Sequence, residues 1–343
     1  MRRYTRLMHA WFSVAALFCA GRAVQARHVL DAFVVNTLDG SVSVVNPHDM
    51  QETRRFAVGK RPYGIVVSAE TGTIVVGVEG ENKLKFFNST SFELMGAVSV
   101  DGMAQCGIVL TPDEKHVLIA HPPSGDLIGI AVETRKEAFR IREVGAAGFV
   151  RCGPSKASVY ATTRPSPGIA VVDPVAQKLL RRIPLNVCPT ALACVPDESR
   201  VYLTSPWVEG ILDLDTGRAK IARLIPLLPP PEKASPVEVA YSSLTVLDGG
   251  LVVAASEERS LVDIVDVATG KPRDRVTAVI RPAWVERVVS PVSPPTPGRS
   301  ALLISTGDHT VQRVEIGADG KLILGAKAKV GAGPRCIAFR FGH

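Results

Sequence analysis

Three proline-centred stretches carry the residues best suited to bind something. Lys60, Arg61 and Tyr63 surround Pro62, Arg281 and Trp284 flank Pro282-Ala283, and Arg335 follows Gly333-Pro334. Cations beside aromatic faces can hold a carboxylate, a phosphate or a nucleic-acid strand through charge-assisted hydrogen bonds and stacking. The alternative is a rim of solvated arginines that only aids solubility. The stretches lie far apart in sequence, so a site exists only if the fold returns to one place several times.

Motifs for catalysis are absent. The chain has no Gly-x-Ser-x-Gly elbow, no His-Glu-x-x-His, no phosphate loop and no Cys-x-x-Cys-His haem attachment, so no cofactor is indicated. His28, His48, His116, His121, His309 and His343 are scattered without metal-ligand spacing, and no metal is expected. His121 and His309 fall in comparable loops but read as exposed turn residues. Glu79 and Glu81 likewise read as solvated turn carboxylates.

The apolar pattern supplies the element that would gather these residues. Short β-branched runs recur at Phe33-Val34-Val35, Ile74-Val75-Val76, Val117-Leu118-Ile119, Val159-Tyr160-Ala161, Val201-Tyr202-Leu203, Leu251-Val252-Val253 and Ala301-Leu302-Leu303. Their starts lie 41, 43, 42, 42, 50 and 50 residues apart. A period near 40 with several short strands per unit predicts propeller blades, and no 3.6-residue stripe argues for helices. A second strand follows each clear run, as in Val42–Val45 and Ile169–Val172, and ends in Asn46-Pro47, Asn88-Ser89, Asp173-Pro174 or Asp215-Thr216-Gly217. Those residues suit hairpin dihedrals and need no catalytic explanation.

The chain is therefore expected to be all-β, a seven-bladed β-propeller in one domain over residues 27–343. Its first strand, Ala32–Asn36, is the second of a blade, and Cys336–Phe341 is an inner strand with no later partner. Joining the two closes the ring and removes both open edges, so a monomer is expected. Two proline-rich segments, Leu224–Pro236 and Ser290–Arg299, lengthen loops on opposite faces and read as tolerated insertions, or as a lid or docking loop.

The loops Val58-Gly59-Lys60-Arg61-Pro62-Tyr63-Gly64 and Val330-Gly331-Ala332-Gly333-Pro334-Arg335, with Thr111-Pro112-Asp113-Glu114 and Val195-Pro196-Asp197-Glu198, resemble the YVTN-type repeat of lactonase-like and cytochrome-d1-like seven-bladed propellers. The resemblance spans the chain beyond residue 26. It implies the fold, and leaves open a lactonase-like hydrolase or an accessory of a periplasmic redox or cofactor pathway. A hydrolase would need a base beside the arginines, and none is evident.

Five cysteines lie beyond residue 26: Cys106, Cys152, Cys188, Cys194 and Cys336. Cys152 and Cys194 align at the same inner-strand position of neighbouring blades. An oxidising compartment would permit a disulfide, but adjacent inner strands diverge and a cysteine there also packs well as a small core residue.

Arg2, Arg3 and Arg6, the 11-residue apolar stretch Ala10–Ala20 and Val24-Gln25-Ala26 read as a signal peptide over residues 1–26. The stretch is too short to span a membrane, which takes about 20 apolar residues. Phe18 ahead of Cys19 argues against a lipoprotein. Removal of this segment takes Arg2, Arg3, Arg6 and Arg22 and lowers the formal charge from +7 to +3, a weak field for nucleic acid. The reading is a periplasmic or secreted, non-catalytic binding module for a protein partner or a small anion at the channel mouth.

Overall fold

The computed structural model describes residues 29–104, 107–155, 157–206, 208–229, 241–277, 279–288 and 299–341. Residues 1–26, read from sequence as a signal peptide, and His28, His343, Cys106 and most of both proline-rich segments lie outside the described residues. The chain folds into seven four-stranded antiparallel sheets, one per expected blade, arranged around a channel.

Blade 1 is built from both ends of the chain. Pro334–Phe341 is its inner strand, followed by Val29–Asn36, Ser41–Asn46 and the outer Gln51–Ala57. Phe33, Val34 and Val35 stand opposite Ala338, Ile337 and Cys336, so the expected closure is observed. Arg340 reinforces it by reaching the Asp31 carboxylate and donating to the Ser89 carbonyl of blade 2 at 2.6 Å. The inner strands of blades 2 to 7 are Pro62–Ser68, Ile108–Leu110, Val150–Cys152, Ala191–Cys194, Ser243–Leu247 and Pro282–Arg287.

All seven β-branched runs form second strands, which are almost wholly buried. Both faces of such a strand pack against neighbouring blades, so these strands read as continuous apolar runs rather than alternating ones. Outer strands such as Gln51–Ala57 and Lys178–Pro184 are mostly exposed and rich in Lys and Arg. Charge on these edges discourages pairing with another chain.

The turn residues behave as their types dictate. Asp173 Oδ1 accepts the N–H groups of Val175 and Ala176 at 2.9 and 2.7 Å, and Asn88 Oδ1 accepts those of Thr90 and Ser91. The Pro-Asp-Glu turns do more. Glu114 accepts the N–H groups of Ala69 and Glu70 at 2.7 and 3.1 Å, capping a turn of blade 2 from blade 3. Glu198 repeats this from blade 5 onto blade 4, accepting Ser155 N–H at 3.0 Å and the Tyr160 hydroxyl at 3.0 Å. The repeat motif is thus a latch between adjacent blades.

Candidate functional site

Loops that lead into the inner strands share one face, here the upper face, with the loops between second and third strands. Three of them have the same corner. Arg61, Arg281 and Gly333 precede prolines and have left-handed backbones, with φ of 53°, 50° and 66°. Their carbonyls accept the N–H groups of Glu79, Thr306 and Thr37 at 3.1, 3.0 and 2.9 Å. The preceding carbonyls, of Lys60, Ile280 and Ala332, accept the N–H groups of Gly80, Gly307 and Leu38 in the matching way. Glycine suits this corner best, since it adopts positive φ without a Cβ clash; blades 2 and 7 carry an arginine there instead. By this register Arg335 is equivalent to Tyr63 and Ala283, two residues past the corner. Arg61, Arg281 and Arg335 thus come from equivalent loops of blades 2, 7 and 1, with Gly333 rather than Arg335 at the corner itself.

Carboxylates answer these cations. Arg281 meets Glu257 Oε1 of blade 6 at 3.0 Å, and Arg335 of blade 1 reaches the other oxygen of the same carboxylate. The Thr306 hydroxyl donates to Glu257 Oε1 at 2.8 Å. One carboxylate therefore holds two guanidiniums from two other blades. Arg61 pairs with Glu79 at 3.2 Å, while Glu81 binds Lys85 Nζ at 2.8 Å and the Lys60 N–H at 3.0 Å. Glu79 and Glu81 are thus counter-charges of the mouth rather than idle turn residues. The side chains of Arg61 and Arg281 remain 60% exposed. A guanidinium has five N–H donors, and each of these two spends one on a carboxylate.

The aromatic residues do not stand beside those cations. Tyr63 packs against the core between blades 1 and 2. Trp284 lies inside the channel, stacked on Phe149 of blade 4 with ring centroids 5.8 Å apart. Two residues on, Glu286 receives the Trp284 Nε1–H at 3.3 Å and Arg151 of blade 4 at 2.5 and 2.6 Å. An ion pair and an aromatic stack thus cross the channel between blades 4 and 7. Burial opposes the charge of Arg151, but the charge and hydrogen bonds of Glu286 hold its pKa above the ordinary guanidinium value. The remaining cavity, lined by Gly64, Ile108, Phe149, Trp284 and Ile337 among others, is about 140 Å3.

Cys152 and Cys194 occupy equivalent positions, opposite Val159 and Val201. In the structure both are thiols. Burial is the main reason the Cys194 thiol pKa is pushed up to about 12. His121 Nδ1 contacts Ser124 Oγ of its own loop at 2.8 Å, and His309 Nδ1 of blade 7 accepts the Gly333 N–H of the loop into blade 1 at 3.3 Å, so both histidines brace loops. Among the described residues no three His, Cys, Asp or Glu side chains form a metal-binding group. No described helix is long and apolar enough to cross a membrane.

Comparison with known proteins follows this geometry. Residues 15–120 match the family model described as YNCE-like beta-propeller. The matched stretch takes in the first three chain-order strands of blade 1, all of blade 2 and the start of blade 3. No curated protein sequence matches the chain. Among solved structures, hydrazine synthase of Kuenenia stuttgartiensis is 14% identical with a TM-score of 0.62, over 79% of this chain and 87% of that one. Dihydro-heme d1 dehydrogenase NirN in complex with DHE is 12% identical with a TM-score of 0.60, over 90% of this chain and 75% of that one. At such identities the likeness is one of fold. It agrees with the seven-bladed propeller read from the repeat.

Proposed function

We propose that the protein is an exported, non-catalytic binding module that docks an acidic protein partner on the upper face of blades 7, 1 and 2. The observation that carries this reading is the pair of arginines at equivalent corners, Arg61 and Arg281, each 60% exposed with most of its donors unspent. Exposed apolar residues share the face. Leu38 is 76% exposed beside Gly333, and Ile280 is 53% exposed beside Gly307. Lys60 adds a further exposed cation. Apolar anchors among cations suit a segment that alternates acidic and apolar side chains, because charge gives encounter and orientation while apolar burial supplies affinity.

The closed channel favours a surface over an interior ligand. Its cavity of about 140 Å3 is well below the roughly 300–1,000 Å3 of small-molecule sites. The likeness to NirN, a fold likeness, therefore adds no DHE site here. The basic N-terminus, short apolar stretch and Val24-Gln25-Ala26 support export to the periplasm or beyond. The testing experiment is a titration of wild type and the Arg61→Ala/Arg281→Ala variant with a synthetic peptide alternating Glu and Leu, at low and high salt. A single-stranded oligonucleotide tests the polyanion alternative.

A further inference from the structure

Between blades 5 and 6, on the lower face, an open groove of about 520 Å3 lies away from the arginines described above. Arg200 and Tyr202 reach it from the second strand of blade 5, Asp213 from the third and Arg223 from the outer strand, while Val267 and Ala268 come from a turn of blade 6. The volume falls within the range of small-molecule sites.

The polar groups are built into position. Asp213 is 2% exposed and receives Arg200 Nη1 at 3.4 Å and Arg223 Nε at 3.0 Å. Arg200 Nη2 also meets Asp215 at 3.4 Å, and Arg223 Nη2 donates to the Val267 carbonyl. Two buried or half-buried anchors thus fix each guanidinium. Of five N–H groups on each, these contacts occupy two, and both arginines line the groove.

Tyr202 is the decisive residue. It is 3% exposed as a residue, and it lines the groove beside both arginines. Burial pushes the phenol pKa up to about 12, so at neutral pH it is a donor. A phenol at a groove wall can donate to an acceptor seated in the groove, and the two guanidiniums beside it are already held in place by Asp213, Asp215 and the Val267 carbonyl.

We infer that this groove binds a small organic carboxylate, its oxygens taking the Arg200, Arg223 and Tyr202 donors and its apolar end resting on Val267 and Ala268. A planar carboxylate matches the guanidinium fork, and each charge-assisted hydrogen bond is stronger than a neutral one. The site does not depend on the upper-face reading.

The test is calorimetric titration of the full chain with benzoate, succinate and inorganic phosphate. Wild type should bind at least one carboxylate at millimolar concentration. Tyr202→Phe, which removes only the hydroxyl, should weaken binding about tenfold, the loss expected for one hydrogen bond to a charged ligand. Arg223→Lys keeps a charge beside Asp213 and should weaken it similarly, with an unchanged thermal transition showing that folding is intact. The Arg61→Ala/Arg281→Ala variant should bind as wild type does. Absence of carboxylate binding, binding of phosphate alone, or affinity unaffected by Tyr202→Phe and Arg223→Lys would overturn the proposal.

Discussion

Arg151→Met tests how the channel is held shut. The substitution leaves the Glu286 carboxylate with the Trp284 indole N–H at 3.3 Å as its remaining described donor. Breaking a fully buried pair costs about 3–5 kcal/mol and an exposed pair about 0–1. Here the two side chains are 20% and 21% exposed, so a loss of about 2–3 kcal/mol is expected. At roughly 2–4 °C per kcal/mol for a large domain, the midpoint should fall by about 4–12 °C. Arg151→Met/Glu286→Leu removes both charges and should recover to within about 1 kcal/mol of wild type, because an apolar replacement owes no desolvation. The assay is urea unfolding of all variants at a common m value, completed as a double-mutant cycle. A single variant as stable as wild type, or a double variant worse than the single one, would refute the argument that the pair spans a low-dielectric channel.

Glu198→Gln should destabilise by about 1–2 kcal/mol, since a carboxylate receiving a backbone N–H and two hydroxyls is replaced by a weaker acceptor; chemical denaturation checks this, and no change would show that the latch between blades 4 and 5 is idle. Iodoacetamide at pH 8 should leave Cys194 unmodified until urea unfolds the chain, as read by mass spectrometry. The same thiol has its folded pKa pushed up to about 12 from an ordinary value of 9.0, so its stability contribution is complete below about pH 9 and fades as pH rises toward 12; a flat alkaline limb between these values would contradict the burial. Intact mass of the native protein should correspond to a start at Arg27, and recovery of a membrane-bound chain retaining Met1 would contradict export.

The fold was largely legible because both determinants of a blade are local. Second strands such as Val117–Ile119 are buried on both faces and must be apolar throughout, and hairpin turns must use Asn, Asp, Pro or Gly. Closure by Cys336–Phe341 followed from counting strands. The site was less legible because its contacts join distant blades. Arg151 and Glu286 are 135 residues apart, and no local pattern marks either as the other's partner. Glu257 sits in an ordinary-looking Ser-Glu-Glu-Arg turn, and only the ring brings it to Arg281 and Arg335. The corner register was not visible either: Pro334 aligns with Pro62 and Pro282, but the residue before it is Gly333 and the arginine follows it. Tyr202 stood in an apolar run that reads as core, and no pattern in the sequence singled out Arg223. Nothing before the fold placed them on one groove.

The most direct test of the account is the affinity of the alternating Glu/Leu peptide for the upper face. The account predicts binding that weakens roughly tenfold or more in Arg61→Ala/Arg281→Ala, each guanidinium contact with a carboxylate being charge-assisted and partly screened. It also predicts loss of that binding as salt rises from about 0.1 M to about 1 M and the screening length falls from about 10 Å to about 3 Å. The thermal midpoint of the variant should stay near that of wild type, since exposed pairs contribute little to stability. Equal affinity of wild type and variant, binding indifferent to salt, or preference for the oligonucleotide over the peptide would contradict it.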